Sequence, residues 1–306
     1  MSTMANQTLQ TIALSGIIQD ASGEDIPLKF HRVTPPAISV PASPVSIAGP
    51  QPFLYQLSAP PSDIPGSFHL SLQVSKRLGE GGISVVHAVT PILSDSSTSN
   101  YVSTADLPSL AAKIVHHPDA RDRLDREAWF YEHMESLQGS VVPRCFGYFE
   151  AGLPKNIVFS PALRDTGYGR LMTKAKARDG QPDVRISLLL LEKLSGELLP
   201  VNVRYSEKEY RPLHDGVLNL YRELAFAGVE HWDYRRHNIL KVLPVTAARE
   251  MPHTHATSEY RVIDFERAQR HNRDPVRFFN SCVGNDVMLL MRSLEENDPI
   301  GWSDYD

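Results

Sequence analysis

The sequence predicts an α+β fold in two lobes, a small sheet-rich lobe followed by a helical one. Three observations lead there. The chain has 306 residues, room for two units of roughly 150 each. Apolar residues make up 42% and charged residues 22%, the balance of a globular protein with a sizeable core. Hydrophobic patterning runs strands, helix, strands, then mostly helix, and a cleft between two such lobes is a preferred place for ligands.

Residues 1–67 read as a Pro-rich N-terminal extension. Pro35, Pro36, Pro41, Pro44, Pro50, Pro52, Pro60, Pro61 and Pro65 remove backbone donors and restrict the residues before them, though Val and Ile between them can still make short edge strands. Residues 68–194 form the expected N-lobe and hinge. From Phe68, FHLSLQV alternates apolar and polar with the period of a half-buried strand. A Gly-rich turn (Gly79, Gly81, Gly82) leads into a second strand, Ile83 to Val89, and the Ser-, Thr- and Asp-rich residues 92–106 make a polar loop. Leu110 to Val115 is a third strand. Pro118 to Leu137 is a helix with Leu124, Ala128, Tyr131 and Leu137 near one stripe, ended by Gly139. Arg144 to Glu150, Asn156 to Pro161 and Arg185 to Leu191 supply further strands. Residues 195–306 form the expected helical C-lobe. They hold a helix from Arg211 to Phe226, short strands at Ile239 to Leu243 and Tyr260 to Ile263 around a loop insertion, and a last helix from Asp286 to Leu294.

Bulk properties exclude several classes. A formal net charge of −5 leaves no basic footprint for nucleic acid or an anionic membrane. Cys145 and Cys282 match no metal-ligand spacing and read as buried reduced thiols, which fits a reducing compartment. Met1 to Gln10 lacks the basic start and apolar run of a signal peptide, and no apolar run can span a bilayer. The expected location is therefore intracellular, in the cytoplasm. His253 and His255, and His116 and His117, have no acidic or cysteine partner at ligand spacing and read as solvated.

Four stretches carry chemistry. In LGEGGISVV, Leu78 to Val86, glycines allow backbone to approach phosphate oxygens; alone, the stretch is equally a Gly-rich hairpin. In LAAKIV, Lys113 stands inside an apolar strand, where an ammonium needs a partner, a ligand, or an edge from which to reach water. The next helix offers Glu127, with Glu132 as the competing acid. In HWDYRRHNIL, Asp233 and Asn238 lie five positions apart just before an apolar strand, and in VIDFERA, Asp264 follows one directly. Two carboxylates brought near one point call for a cation.

In this order, the segments resemble the signature set of the protein kinase-like superfamily, and look closest to divergent fungal kinase-like proteins with a similar catalytic loop and IDFE-type segment. The resemblance spans Phe68 to Leu294. It implies a two-lobed protein kinase-like fold, with an antiparallel-sheet N-lobe and a truncated, mainly helical C-lobe. It also implies that Lys113 contacts the α- and β-phosphates of ATP and that Glu127 orients it. Asp233 is the implied catalytic carboxylate, with Arg235 near the γ-phosphate; Asn238 and Asp264 are the implied Mg²⁺ ligands. Gly79, Gly81, Gly82 and Val86 would roof the nucleotide, and Glu192 and Leu194 resemble the hinge that meets adenine. Asp286 matches the aspartate that braces the catalytic loop.

The departures bear on function. Ser84 replaces the third loop glycine, Trp232 the arginine before the catalytic Asp, and Glu266 the glycine of the metal motif. No APE-like segment follows Asp264, and the platform for a peptide substrate is short. The implied activity is transfer of the ATP γ-phosphoryl, with Mg²⁺, to a hydroxyl of an acceptor, Ser or Thr of a protein first. The alternatives are a pseudokinase that binds nucleotide or docks partners without turnover, a small-molecule kinase of the aminoglycoside or choline type, and a degenerate fragment that folds poorly.

Overall fold

A computed structural model describes residues 9–38, 68–80, 84–92, 107–115, 118–154, 157–164, 185–200, 207–243 and 249–296. These fall into two compact units. One is drawn from Met1–Ala37, Pro60–Glu132 and Arg144–Lys193, the other from Ile38–Ala59, His133–Pro143 and Leu194–Asp306.

The first unit is built on a closed barrel. Its strands are β1 (Leu9–Ser15), β3 (Leu28–Arg32), β4 (Phe68–Glu80), β5 (Val85–Pro91), β6 (Leu110–Val115), β7 (Cys145–Gly152) and β9 (Arg185–Glu192), in the order β1-β3-β7-β9-β6-β5-β4. Two short strands, β2 (Ile18–Gln19) and β8 (Val158–Phe159), pair with each other outside it. All barrel pairs are antiparallel except β1 with β4, which run parallel with Ile12 opposite Leu70 and Leu14 opposite Leu72. The period of two in each strand sends one set of side chains inward. Ile12, Leu14, Phe30, Leu72, Ile114 and Leu190 are among those that fill the interior, each fully buried. Burying one such side chain contributes about 1.5–3 kcal/mol.

The barrel corrects the expected fold. The architecture is mixed α and β, and the sheet is neither open nor wholly antiparallel, as a two-lobed protein kinase-like fold with an antiparallel-sheet N-lobe requires. Strands β1 and β3 bridge β4 and β7, whose outer edges would otherwise expose unpaired backbone groups. Both come from residues 9–32, inside the stretch read from its prolines as an extension. The prolines from Pro41 to Pro65 lie outside the described residues.

Helix α1 (Pro118–His133) follows β6 and gives way to a 3₁₀ turn at Glu135–Leu137. A four-residue helix, α2 (Pro161–Arg164), follows β8. In the second unit the expected truncated, mainly helical C-lobe is also corrected, because short sheets share it with the helices. Strands β10 (Val229–Glu230) and β13 (Gln269–Arg270) pair, as do β11 (Ile239–Lys241) and β12 (Tyr260–Val262). Helix α3 (Glu207–Phe226) buries Val217, Leu220, Tyr221 and Leu224 and packs on α4 (Pro275–Phe278), the π turn Phe279–Val283 and α5 (Gly284–Glu296). Gly228 ends the turn after α3 at φ 72°, and a Cβ there would meet the His271 carbonyl at 3.1 Å. That tight turn delivers the chain into β10 and then His231. Among the described residues no helix is long and apolar enough to cross a membrane.

Candidate functional site

Polar side chains collect in two clusters, one in each unit. The first is on the outer wall of the barrel. Leu110, Ala112 and Ile114 face inward, so Lys113 on β6 projects outward. Register places Gly79, Val86, Lys113, Leu189 and Tyr148 in one row across β4, β5, β6, β9 and β7. Lys113 and Glu127 are 8% and 1% exposed, and Nζ lies 2.5 Å from Glu127 Oε2. The structure thus brings together the strand lysine and the helix glutamate. Glu132, the competing acid, is half-buried elsewhere on α1. Burial pushes its carboxyl up to about 7, opposed by the Arg32 guanidinium.

Gly79 sits in β4 opposite Val86, and a Cβ added to it would meet nothing within 4 Å. The strand therefore has room for a side chain at this position. Gly81 and Gly82 lie outside the described residues. Glu192 closes β9, its backbone N–H donating to the Arg144 carbonyl and its carboxylate accepting from the Arg144 N–H at 3.2 Å. The N–H groups of Lys193 and Ser195 are bonded to Ser109 and Lys241. Leu194 follows Lys193 at the end of this run and is buried, 7% exposed.

The second cluster surrounds His231, which is 1% exposed. Its Nε2 lies 2.9 Å from the Ile263 carbonyl, next to Asp264. Tyr221 of α3 and Phe265 meet the ring edge-on at 6.0 and 4.9 Å, which fixes the loop that follows. Burial lowers the His231 pKa, while the Ile263 carbonyl, Asp264 and Asp233 oppose that shift. His231 therefore ties the segments carrying Asp233 and Asp264 to each other. Asn238 is buried and its Nδ2 donates to the Asp233 carbonyl at 3.1 Å, and the Ile263 N–H donates to the Asn238 carbonyl. Asp233 is 6% exposed, and Arg235 grips both its oxygens through Nε and Nη2. That pairing raises the Arg235 pKa.

Backbone strain concentrates here. Trp232 and Asp264 hold φ of 61° and 69°, and His255 is the other non-glycine residue at positive φ among the described residues. A left-handed backbone costs roughly 1–3 kcal/mol and persists where surrounding contacts over-determine it, often at functional sites. Asp286 is exposed on α5, at its first turn.

Among the described residues no group of three or more His, Cys, Asp or Glu side chains forms a metal centre. Mg²⁺ commonly takes only one or two protein carboxylates, completed by phosphate and water oxygens. With Nδ2 committed to the Asp233 carbonyl, Asn238 keeps Oδ1 for such a role, and Asp264 adds a carboxylate. This donor set is all hard oxygen and fits Mg²⁺.

Residues outside the sequence reading also contribute. His231 lies within the quoted motif, yet its bond to Ile263 spans 32 positions and leaves no local signal. Arg121 and Asp125, four apart on α1, do leave one, the spacing of an ion pair on a helix face. His253, read as solvated, instead places Nδ1 2.7 Å from the buried Glu223 and stacks on Phe226. His116 and His117 lie outside the described residues.

No protein-family model matches the chain. No curated protein matches it either.

Proposed function

We propose that the protein is an ATP- and Mg²⁺-dependent phosphotransferase that moves the γ-phosphoryl group to a hydroxyl, with Ser or Thr of a protein as the first candidate acceptor. The observation that carries this is the buried Lys113–Glu127 pair, in the same row as Gly79 and Val86. A buried ion pair adds little stability compared with apolar packing, and the proposal gives this buried ammonium a use. In this reading Glu127 holds the Lys113 ammonium charged and aimed for the α- and β-phosphates. Asp233 accepts the proton of the acceptor hydroxyl or holds it in line, and Arg235 steadies the carboxylate and faces the γ-phosphate. Mg²⁺, held by Asn238 and Asp264, neutralises charge on the triphosphate. Glu192 and Leu194 supply backbone groups to adenine.

A second reading has its own observation. Arg235 engages both oxygens of Asp233, an arrangement that withholds the carboxylate from an incoming hydroxyl. A pseudokinase that binds nucleotide without turnover would carry it. Transfer from ATP labelled at the γ-position, with Mg²⁺, separates the two. The phosphotransferase reading expects transfer by wild type and a loss of roughly 10²-fold or more in Asp233→Ala. Signal that persists in Asp233→Ala removes this carboxylate from the mechanism; nucleotide-dependent stabilisation without transfer favours the pseudokinase.

A further inference from the structure

We infer that Arg121, Asp125, Tyr148 and Glu150 form a clasp that sets the roll of α1 on the barrel and so holds Glu127 against Lys113. The link from this pairing to nucleotide binding rests on the proposed function; the clasp itself does not.

Helix α1 has a buried line of Leu124, Ala128 and Tyr131. At about 100° per residue, Arg121 and Asp125 project to one flank of that line and Glu127 to the other. The barrel offers partners on both flanks. Lys113 of β6 and Tyr148 of β7 both stand opposite Leu189 of the intervening β9. They are two strand spacings apart, about 10 Å. On one flank Glu127 meets Lys113. On the other, Asp125 accepts the Tyr148 hydroxyl and Arg121 donates to Glu150. Glu150 also lies 3.3 Å from the Tyr148 hydroxyl and accepts from Arg185 Nη1 at 3.3 Å.

Asp125, Tyr148 and Glu150 are all buried. Apolar contact along Leu124, Ala128 and Tyr131 resists separation of helix and barrel but resists rotation weakly, because it is non-directional. Hydrogen bonds are directional. A roll that withdraws Glu127 from Lys113 must break the Asp125–Tyr148 and Arg121–Glu150 contacts on the opposite flank. None of the four touches a reacting group, so they are positioning residues.

Acetic anhydride labelling of the full chain, read lysine by lysine by mass spectrometry, tests this without nucleotide. Glu127→Gln gives the signal of a broken pair. Lys113 labelling is expected to rise severalfold in Glu127→Gln and comparably in Glu150→Gln and Tyr148→Phe, while Lys29 and Lys241 label as in wild type. Should Glu150→Gln abolish cooperative melting, Arg121→Gln, which removes the partly exposed helix partner of Glu150, takes its place. Wild-type labelling of Lys113 in both Tyr148→Phe and the Glu150 or Arg121 variant overturns the clasp. Mg²⁺·ATP affinity is measured on the same proteins. Raised labelling with unchanged affinity leaves the clasp standing and removes the phosphate role of Lys113; raised labelling with weakened affinity supports both.

Discussion

Single residues in both units sit away from their solution chemistry, and the direction of each shift makes a prediction. Burial raises Glu132 from 4.5 to about 7. Its folded pKa exceeds its unfolded one, so its contribution to stability is complete below pH 4.5 and is lost as pH rises towards 7. His271 shifts the opposite way. Burial first, then Arg273 and Arg270, lower it from 6.5 to about 4. Its contribution is complete above pH 6.5 and is lost as pH falls towards 4. Each shift corresponds to roughly 3 kcal/mol at full effect. In the wild type the two slopes offset each other over a shared window. Denaturant melts between pH 4 and 7 should therefore diverge: Glu132→Gln gains stability with rising pH relative to wild type, and His271→Gln gains it with falling pH. Parallel curves for all three proteins would show that neither burial matters energetically. Neither shift was legible in the sequence. Glu132 reads there as one of two candidate acids on a helix, and its burial comes from packing that no local pattern encodes. Lys113 was legible, because a charge inside LAAKIV breaks an apolar run.

At the scale of elements, legibility tracks how local the determining contacts are. The alternation of FHLSLQV and the apolar runs of β6 and β9 mark strands from the sequence alone, because the period of two is written in neighbouring residues. The start of α3 and both ends of α5 extend beyond the predicted limits by a few residues, since helix ends depend on what they pack against. Closure of the barrel was not legible. It depends on β1 pairing in parallel with β4, more than 50 positions away, and the prolines that follow masked the apolar positions Ile12, Leu14 and Phe30. Those side chains are 0% exposed and make the closing strands part of the core. Phe30→Ala should cost about 3–5 kcal/mol in a urea melt. A change within about 0.5 kcal/mol, typical of an exposed position, would mean that the strand is a loose cover and not a wall of the barrel.

For the whole molecule, the chemistry is divided. The lysine–glutamate pair belongs to the unit built on the barrel, and the Asp233, Asn238 and Asp264 cluster belongs to the unit built on α3. Each unit has its own polar geometry: a paired ammonium in one, carboxylate and amide side chains beside left-handed backbone in the other. The most direct measurement is calorimetric titration of wild type, Lys113→Met and Asp264→Asn with a non-hydrolysable ATP analogue, with Mg²⁺ and with EDTA. The account predicts binding by wild type that weakens in EDTA, and a loss of roughly tenfold, about 1.4 kcal/mol, in each variant. It further predicts that the Mg²⁺ dependence survives in Lys113→Met and disappears in Asp264→Asn. Equal affinity in all three proteins, or no binding by wild type, would contradict it.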